Sequence, residues 1–134
     1  VSPDLHHLMK TTKHALEKGI REAVVGNRVG AISHTIQKIV ERQGYSCVRD
    51  LIGHGVGYEV HEEPEVPNFG SKNDGPVLQE GMVIAIEPIV NVGDWRVRTL
   101  NDGWTMVSAD GSMSAHFEHS VAITKEGPLI MTQG

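Results

Sequence analysis

Two glutamates lie in the most apolar segments of the chain, where a carboxylate is least expected. Glu87 lies within GMVIAIEPIVN, and Glu118 follows Phe117 within SAHFEHSVAIT. Removing an unpaired carboxylate from water is costly, so each needs a cation, a metal ion or a set of hydrogen-bond donors. If both lie on strands of one small sheet, one divalent cation can serve both. Buried salt bridges, or positions on an exposed sheet edge, are the alternatives that spacing alone leaves open.

A histidine between two glycines is the next candidate. His54 lies in GHGVG, residues 53–57, where glycine permits unusual backbone angles and lets a ligand approach closely. An imidazole fixed there can bind a metal ion or transfer a proton, although a solvated loop histidine would have the same sequence. The segment is a poor phosphate loop, because it lacks the later glycine and the helix that should follow.

The other histidines are weaker candidates. His61 opens HEEPEVPN, but Glu65 stands where a helical zinc motif needs its second histidine, and Pro64 interrupts such a helix. We therefore expect His61 in a loop, available for hydrogen bonding to a substrate. His116 and His119 would face opposite sides of a strand, so they are not expected to share one metal ion.

Two helices and a set of short strands must position these residues. Apolar residues recur at helical spacing from Leu5 to Ala23 and from Val29 to Val40, and Gly44 stands at the expected end of the second helix. Beyond them a loop is expected over 61–76, and strands are expected at 46–51, 81–91, 95–100, 104–108, 114–124 and 129–132. The sequence predicts a single α+β domain, residues 1–134, with two antiparallel helices followed by an antiparallel β meander.

The composition limits the classes of partner and compartment. The chain has 134 residues, 39% of them hydrophobic, and a formal net charge of −5, so we expect a globular protein that does not bind nucleic acid or an acidic membrane surface. No apolar run is long enough to cross a membrane. The lone cysteine, Cys47, excludes an internal disulfide, and it favours a reducing compartment such as the cytoplasm.

The order of these segments resembles that of one enzyme family. GHGVG, HEEPEVPN, GMVIAIEPIVN, DGWT and SAHFEHSVAIT follow one another in the manner of the signature blocks of type I methionine aminopeptidases. The resemblance covers essentially the whole chain. These hydrolases have the pita-bread fold, in which two pseudo-symmetric halves enclose a dinuclear metal centre. The resemblance implies that this chain is the carboxy-terminal half of such a metalloprotease, which removes the N-terminal methionine from nascent proteins.

The resemblance also implies roles for the candidate residues. His54 and Glu87 would bind one metal ion, and Glu118 would bridge both ions and act as a catalytic residue that relays a proton. His61 would contact the N-terminal methionyl peptide near the scissile bond and help to stabilise the transition state. The two ions of the complete enzyme would be cobalt, manganese, iron or zinc, because two carboxylates and an imidazole do not distinguish among them.

Two further positions match the methionine pocket of the family, but with departures. Val60 and Trp104 match residues that line or border this pocket. Val60 stands where phenylalanine is usual, and His116 stands where glutamine is usual. The residues just before His61 look somewhat more like the proline-specific relatives. A half of an Xaa-Pro aminopeptidase is therefore an alternative, as is a non-catalytic polypeptide-binding module of the same fold.

The remaining ligands of the family are missing. Two of its five ligands are aspartates that precede the helical pair, and none of the six aspartates here has that placement. The chain begins at Val1 without an initiator methionine, as a fragment, a processed chain or an engineered chain would. We expect it to hold at most one metal ion, weakly, and to be inactive or nearly so alone. Its expected partner is the missing amino-terminal half, or a second copy that covers the exposed sheet edge.

Overall fold

The computed structural model describes residues 3–49, 66–94, 96–99, 101 and 106–131 of the chain. This part of the chain contains two α-helices that precede eight short β-strands. The α+β class predicted from the sequence is therefore confirmed. Within the same ranges, no helix is both long enough and apolar enough to cross a membrane.

The two helices form the predicted hairpin. Helix α1 spans Pro3–Arg21, and its first residue is a proline, whose fixed φ angle suits a helix start and whose missing N–H is not needed there. Helix α2 spans Val29–Arg42 and is followed by Gly44 with a φ of +82°, a conformation that glycine adopts readily just past a helix end. Each helix buries one apolar stripe. The stripes consist of Leu8, Ala15, Leu16 and Ile20 on α1 and of Val29, Ile32, Ile36 and Val40 on α2.

A loop, and not a capping side chain, holds the first turn of α2. Arg28 precedes the helix without making a side-chain cap bond, and the Gly30 N–H donates instead to the Asp74 carbonyl at 2.8 Å. This bond satisfies one of the amides that a helix start leaves without a partner. A Cβ atom at position 30 would collide with the Ser71 carbonyl and lie 2.8 Å from backbone atoms of Asp74. Glycine is therefore required for the loop to approach so closely.

The strands pair in antiparallel fashion, as predicted. They are β1 (Ser46–Cys47), β2 (Val83–Ile86), β3 (Ile89–Asn91), β4 (Val97–Thr99), β5 (Met106–Ser108), β6 (Ser114–His116), β7 (His119–Thr124) and β8 (Gly127–Ile130). In the described part of the chain, the hydrogen-bonded orders are β1-β3-β6, β2-β7-β8 and β4-β5. The pairing differs from that of a simple meander, in which strands that are consecutive in the chain pair. Strands β3 and β6, which flank the β4-β5 hairpin in the chain, pair with each other, and β2 and β7, which flank β3 and β6 in the chain, also pair with each other.

Two of the predicted strands are interrupted. The prediction of one strand over 81–91 is wrong at Glu87 and Pro88, which separate β2 from β3, and the strand predicted over 114–124 is divided at Phe117 and Glu118. Pro88 has no N–H to donate to a ladder, although its carbonyl accepts a hydrogen bond from the Phe117 N–H at 3.3 Å. Each glutamate therefore lies at a break between strands and not within a strand.

Replacing Gly30 by alanine should lower the free energy of unfolding by about 1–3 kcal/mol, because the added methyl group overpacks the contact between the loop and α2. At a helical position with open space around it, replacing glycine by alanine would instead raise the free energy of unfolding by about 1 kcal/mol, because alanine has the higher helix propensity. Urea denaturation measures the difference. The exposed His34 on the same helix provides the control, because His34→Ala should change stability by less than about 0.5 kcal/mol. Unchanged or increased stability in Gly30→Ala would contradict the close approach.

Candidate metal centre

Glu87 and Glu118 lie opposite each other where the strands are interrupted. Strands β2 and β7 pair in a register that brings Ile86 opposite His119, and β3 and β6 continue the same register beyond the break. Continuing that register across the break places the two glutamates directly opposite each other. In a regular ladder such residues have Cβ atoms about 4.5–5.5 Å apart, and like charges so placed repel each other. The two carboxylates therefore form one electrostatic unit.

The sheet face that carries these carboxylates lies away from the helices. From Val83 to Ile86, residues of β2 are alternately exposed and buried, and the buried ones pack in the core shared with the helices. Because successive strand residues point to opposite faces, Glu87 falls on the exposed face. On β7, Val121 is buried in the same core, and Glu118 lies three positions earlier, on the opposite face. Both glutamates therefore belong to the face that the helices leave uncovered.

The electrostatic environment of Glu87 is unfavourable to its charge. Burial raises the pKa of Glu87 above its ordinary value, the charge of Glu118 raises it further, and His116 acts in the opposite direction. The Glu87 side chain is 39% exposed, so this carboxylate is half-buried and faces a second carboxylate. A raised carboxyl pKa means that the surroundings do not balance the negative charge. The arrangement therefore favours a bound cation.

His116 is a functional candidate that sequence reasoning missed. Its Nε2 lies 3.2 Å from Oε2 of Glu87, and its side chain is 56% exposed. It pairs with Ile89, which makes it the diagonal neighbour of Glu87 across the ladder. The alternation of side chains along one strand indicated only whether His116 and His119 share a face, and it gave no information about which residue lies opposite His116. The pairing of the two glutamate segments with each other was the information that could have identified the contact.

Four of the predicted site residues lie outside the described part of the chain. These are His54, Val60, His61 and Trp104, and their roles stay predictions. Within the described ranges, no group of three or more His, Cys, Asp or Glu side chains is arranged to hold a metal ion. The described part of the chain includes two of the three predicted metal ligands, Glu87 and Glu118, and the predicted ligand set stays a prediction.

The aspartates of the described turns do not complete that set. Asp110 accepts hydrogen bonds from the backbone N–H of Asp94 at 2.8 Å and of Ser112 at 2.9 Å. These bonds, together with one from the Ser112 side chain, lower the pKa of Asp110 to about 2. Asp74 likewise accepts from the Ser71 N–H at 2.9 Å. Asp74 therefore stabilises its own turn, whereas Asp110 stabilises its own turn and also joins it to the segment that contains Asp94.

The opposed pair fits a divalent cation chemically. Carboxylate oxygens are hard donors of the kind that divalent metal ions accept. A salt bridge was one of the alternatives that the sequence left open for Glu87, and the contact with His116 is such an ion pair. The pKa of Glu87 is nevertheless raised even with His116 present. A cation shared by Glu87 and Glu118 would convert their repulsion into a common attraction, so the residues present are consistent with a metal centre.

Comparison with known proteins assigns the chain to a family of metal-dependent enzymes. Residues 1–125 match the family described as Metallopeptidase family M24. The methionine aminopeptidase of Clostridium perfringens is 54% identical over 132 residues, which are 98% of this chain and 53% of that protein. The chain thus spans about half the length of the curated relatives it matches.

Solved structures support the same assignment. The methionine aminopeptidase of Thermotoga maritima matches with a TM-score of 0.91 and 47% identity, over 100% of this chain and 54% of that one. The prolidase of Pyrococcus horikoshii matches with a TM-score of 0.67 and 26% identity, over 98% of this chain and 32% of that one. The expected fold, half of a pita-bread architecture, is confirmed by these likenesses.

In the metal-free protein, the pKa of Glu87 should respond in opposite directions to its two neighbours. Glu118→Gln removes a repelling charge and should lower this pKa, whereas His116→Gln removes an attracting charge and should raise it. A carbon-13 carboxyl NMR titration with a chelator present measures both shifts. Glu126→Gln, at an exposed turn position, should leave the pKa of Glu87 unchanged. No fall in the Glu118→Gln variant would contradict the opposition of the two carboxylates.

The raised pKa of Glu87 also makes the stability of the fold depend on pH. Because the pKa of Glu87 is raised in the folded protein, the folded state binds more protons than the unfolded chain between the ordinary and the raised pKa. Stability therefore falls as the pH rises through this window. In urea denaturation of metal-free protein, Glu118→Gln should reduce that fall, since it brings the folded pKa closer to the unfolded one.

Proposed function

Because the chain belongs to metallopeptidase family M24, we propose that it is the carboxy-terminal half of a methionine aminopeptidase and that the complete enzyme removes the N-terminal methionine from nascent proteins. The observation that carries the proposal is the opposition of Glu87 and Glu118 on the sheet face away from the helices. A dinuclear metallopeptidase needs such facing carboxylates. We treat residues 1–134 as one domain, since both helices and both three-stranded sheets of the described part contribute to one core.

Each acidic residue of the proposed site has a distinct role. Glu87 and His54 would hold one metal ion, and Glu118 would lie between two. Divalent ions bound there would lower the pKa of a water molecule and polarise the substrate carbonyl. Glu118 would accept the proton of the attacking water and pass it to the departing amine. His116 would restrict the orientation of the Glu87 carboxylate through their contact at 3.2 Å.

We propose that the substrates are peptides with an N-terminal methionine. His61 would donate a hydrogen bond close to the scissile carbonyl and stabilise the negative charge that develops there. Val60 and Trp104 would border the methionine side chain, with a less aromatic edge at Val60 than phenylalanine would provide. Cobalt, manganese, iron and zinc all suit two carboxylates and an imidazole.

The complete site needs residues that this chain does not supply. Since the chain spans about half the length of its relatives, we propose that an amino-terminal half contributes the two aspartate ligands. The chain alone would then hold at most one metal ion, weakly. No nucleic-acid or membrane partner is part of this proposal.

An exposed apolar row supports a partner on the carboxylate face. Val83 of β2 pairs with Ala122 of β7, which pairs with Leu129 of β8, so the three side chains lie side by side on one face. Val83 is 41% and Leu129 is 58% exposed. The row lies on the same face as Glu87, so a partner that completes the metal centre would also cover it. A second copy of the chain is the alternative occupant of this face.

A half of an Xaa-Pro aminopeptidase is the second candidate, because proline-specific relatives share the fold. The TM-score of 0.91 to a methionine aminopeptidase against 0.67 to a prolidase favours the methionine enzyme. A non-catalytic polypeptide-binding module is disfavoured, because such proteins typically lose metal ligands, whereas both glutamates are present here on one face.

We propose a cytoplasmic location, because methionine removal acts on newly made chains. Cys47 is consistent with a reducing compartment, since it is a free and buried cysteine. Burial raises the pKa of its thiol to about 12, so the thiolate needed for oxidation is scarce.

Completing the chain with an amino-terminal half should produce a methionine aminopeptidase. The chain alone, with Mn²⁺ or Co²⁺, should not turn over a Met-Ala-Ser peptide. Co-expressed and co-purified with the amino-terminal half of the Clostridium perfringens relative, it should release methionine. In this complex Glu118→Gln should lower kcat by at least about 100-fold through loss of a ligand and proton relay, and Glu126→Gln should have no effect. Robust turnover by the chain alone, or by the Glu118→Gln complex, would contradict the proposal, and preference for an Ala-Pro-Ser peptide would favour the second candidate.

A further inference from the structure

His116 and Glu87 bring two atoms of the kinds that bind metal ions close together. Nε2 of His116 lies 3.2 Å from Oε2 of Glu87. Two ligands that each lie about 2.1 Å from one ion are separated by about 3.0 Å at an octahedral right angle and by about 3.4 Å at a tetrahedral angle. The observed separation falls between these values, so the two atoms are spaced as neighbouring ligands of a single ion are.

The pairing of the strands fixes the positions from which the two side chains start. His116 is the last residue of β6 and pairs with Ile89 of β3, and the Phe117 N–H donates to the Pro88 carbonyl at 3.3 Å. Strand β3 is also held at its other edge, where the Val48 N–H donates to the Ile89 carbonyl at 2.9 Å. Ligands that stand on hydrogen-bonded strands are held more precisely than ligands on loops.

Both side chains lie on the sheet face that the helices leave uncovered. Even-numbered residues from Ile84 to Val90 are buried and the odd-numbered residues between them are not, so the alternation continues through the break at Glu87. The side chains of Glu87 and His116 are 39% and 56% exposed. An ion can therefore reach the pair from solvent, and water molecules can occupy its remaining coordination positions.

An ion pair alone accounts for less of this arrangement. Pairs between side chains as exposed as these contribute little to stability, because water screens their attraction. The imidazole also does not offset the burial of Glu87 and the repulsion from Glu118, since the pKa of Glu87 is raised even beside it. A divalent ion bound by both side chains would place two positive charges at the same point.

We propose that His116 is a further metal ligand, which binds the same divalent ion as Glu87 through Nε2. The inference rests on the proposed function in one respect, since it takes Glu87 as a ligand of the metal centre. Within the described part of the chain, no group of three His, Cys, Asp or Glu side chains is arranged to hold an ion, so His116 and Glu87 supply two of its ligands. In the metal-free protein their contact orients Glu87, and two bonds to the ion replace that contact when metal binds.

The test separates a ligand from a residue that only orients Glu87. His116→Gln keeps an amide that can donate a hydrogen bond to Glu87 but is a much weaker zinc ligand than imidazole, whereas His116→Ala removes both properties. Glu87→Gln removes the carboxylate, and His34→Gln replaces an exposed histidine of α2 as the control. Each chain, labelled with nitrogen-15 in its histidines, is titrated with Zn²⁺. Calorimetry gives the Kd, and NMR gives the ring-nitrogen signals, among which those of His116 are absent from the His116→Gln spectrum.

A metal ligand should change both readouts. On addition of Zn²⁺, the Nε2 signal of His116 should move to the position of a metal-bound nitrogen in the unmodified and His34→Gln proteins. His116→Gln and His116→Ala should weaken Zn²⁺ binding to the same extent, by at least about tenfold, since loss of a ligand costs no less than loss of a residue that orients one. Glu87→Gln should weaken it as much, and His34→Gln should leave it unchanged.

Two results would overturn the proposal. The first is a His116 Nε2 signal that does not move at any Zn²⁺ concentration. The second is an affinity retained in His116→Gln and lost in His116→Ala, because His116 would then only orient Glu87.

The fate of this inference can be distinguished from that of the proposed function. Zn²⁺ affinity that depends on Glu87 and not on His116 would contradict the inference and leave the proposed function standing. Affinity that depends on both residues, in a chain whose complex with an amino-terminal half releases no methionine, would support the ligand and contradict the proposed function.

Discussion

The candidate site depends on the repulsion between two carboxylates that one antiparallel register places opposite each other. A ladder does not tolerate like charges at directly opposed positions without cost, and half-burial of Glu87 increases that cost, as its raised pKa indicates. His116 offsets the repulsion only in part. A divalent cation accounts for all of these features together, because it needs hard oxygen donors close to one another and removes the reason for their repulsion.

The rest of the fold keeps these carboxylates in place and leaves their face open. The helical hairpin covers one face of the larger sheets, so the glutamates fall on the other face by strand alternation. Gly30 lets the loop that contains Ser71 and Asp74 pack directly on α2. The uncovered face also carries the apolar row that begins at Val83. The two opposed carboxylates and the apolar row lie on one uncovered face, which is consistent with the proposal that this chain is one half of a metallopeptidase.

The sequence predicted those features that depend on local patterns. The helices were predicted from apolar spacing together with Gly44, and Glu87 was identified because its neighbours are apolar. The break at Pro88 could also have been predicted, since proline cannot donate a hydrogen bond to a ladder. The strongly apolar composition of residues 81–91 led instead to the prediction of one continuous strand. The contact of His116 with Glu87 could not be predicted from either segment alone, because it depends on which strands pair and in what register. Local periodicity in the sequence indicates which face of a helix or strand is buried. A functional site is assembled from residues that are distant in the chain, so its contacts depend on strand pairing that the periodicity does not reveal.

The most direct test of the metal centre is the thermal unfolding midpoint, Tm, of the chain with and without Mn²⁺. A ligand that binds only the folded state stabilises it by about 2.7 kcal/mol at 100 times its Kd. The account predicts that Mn²⁺ raises the Tm of the unmodified chain and has little effect on a variant that carries both Glu87→Gln and Glu118→Gln. An equal rise in both proteins, or no rise in either, would contradict the claim that the opposed glutamates bind a metal ion.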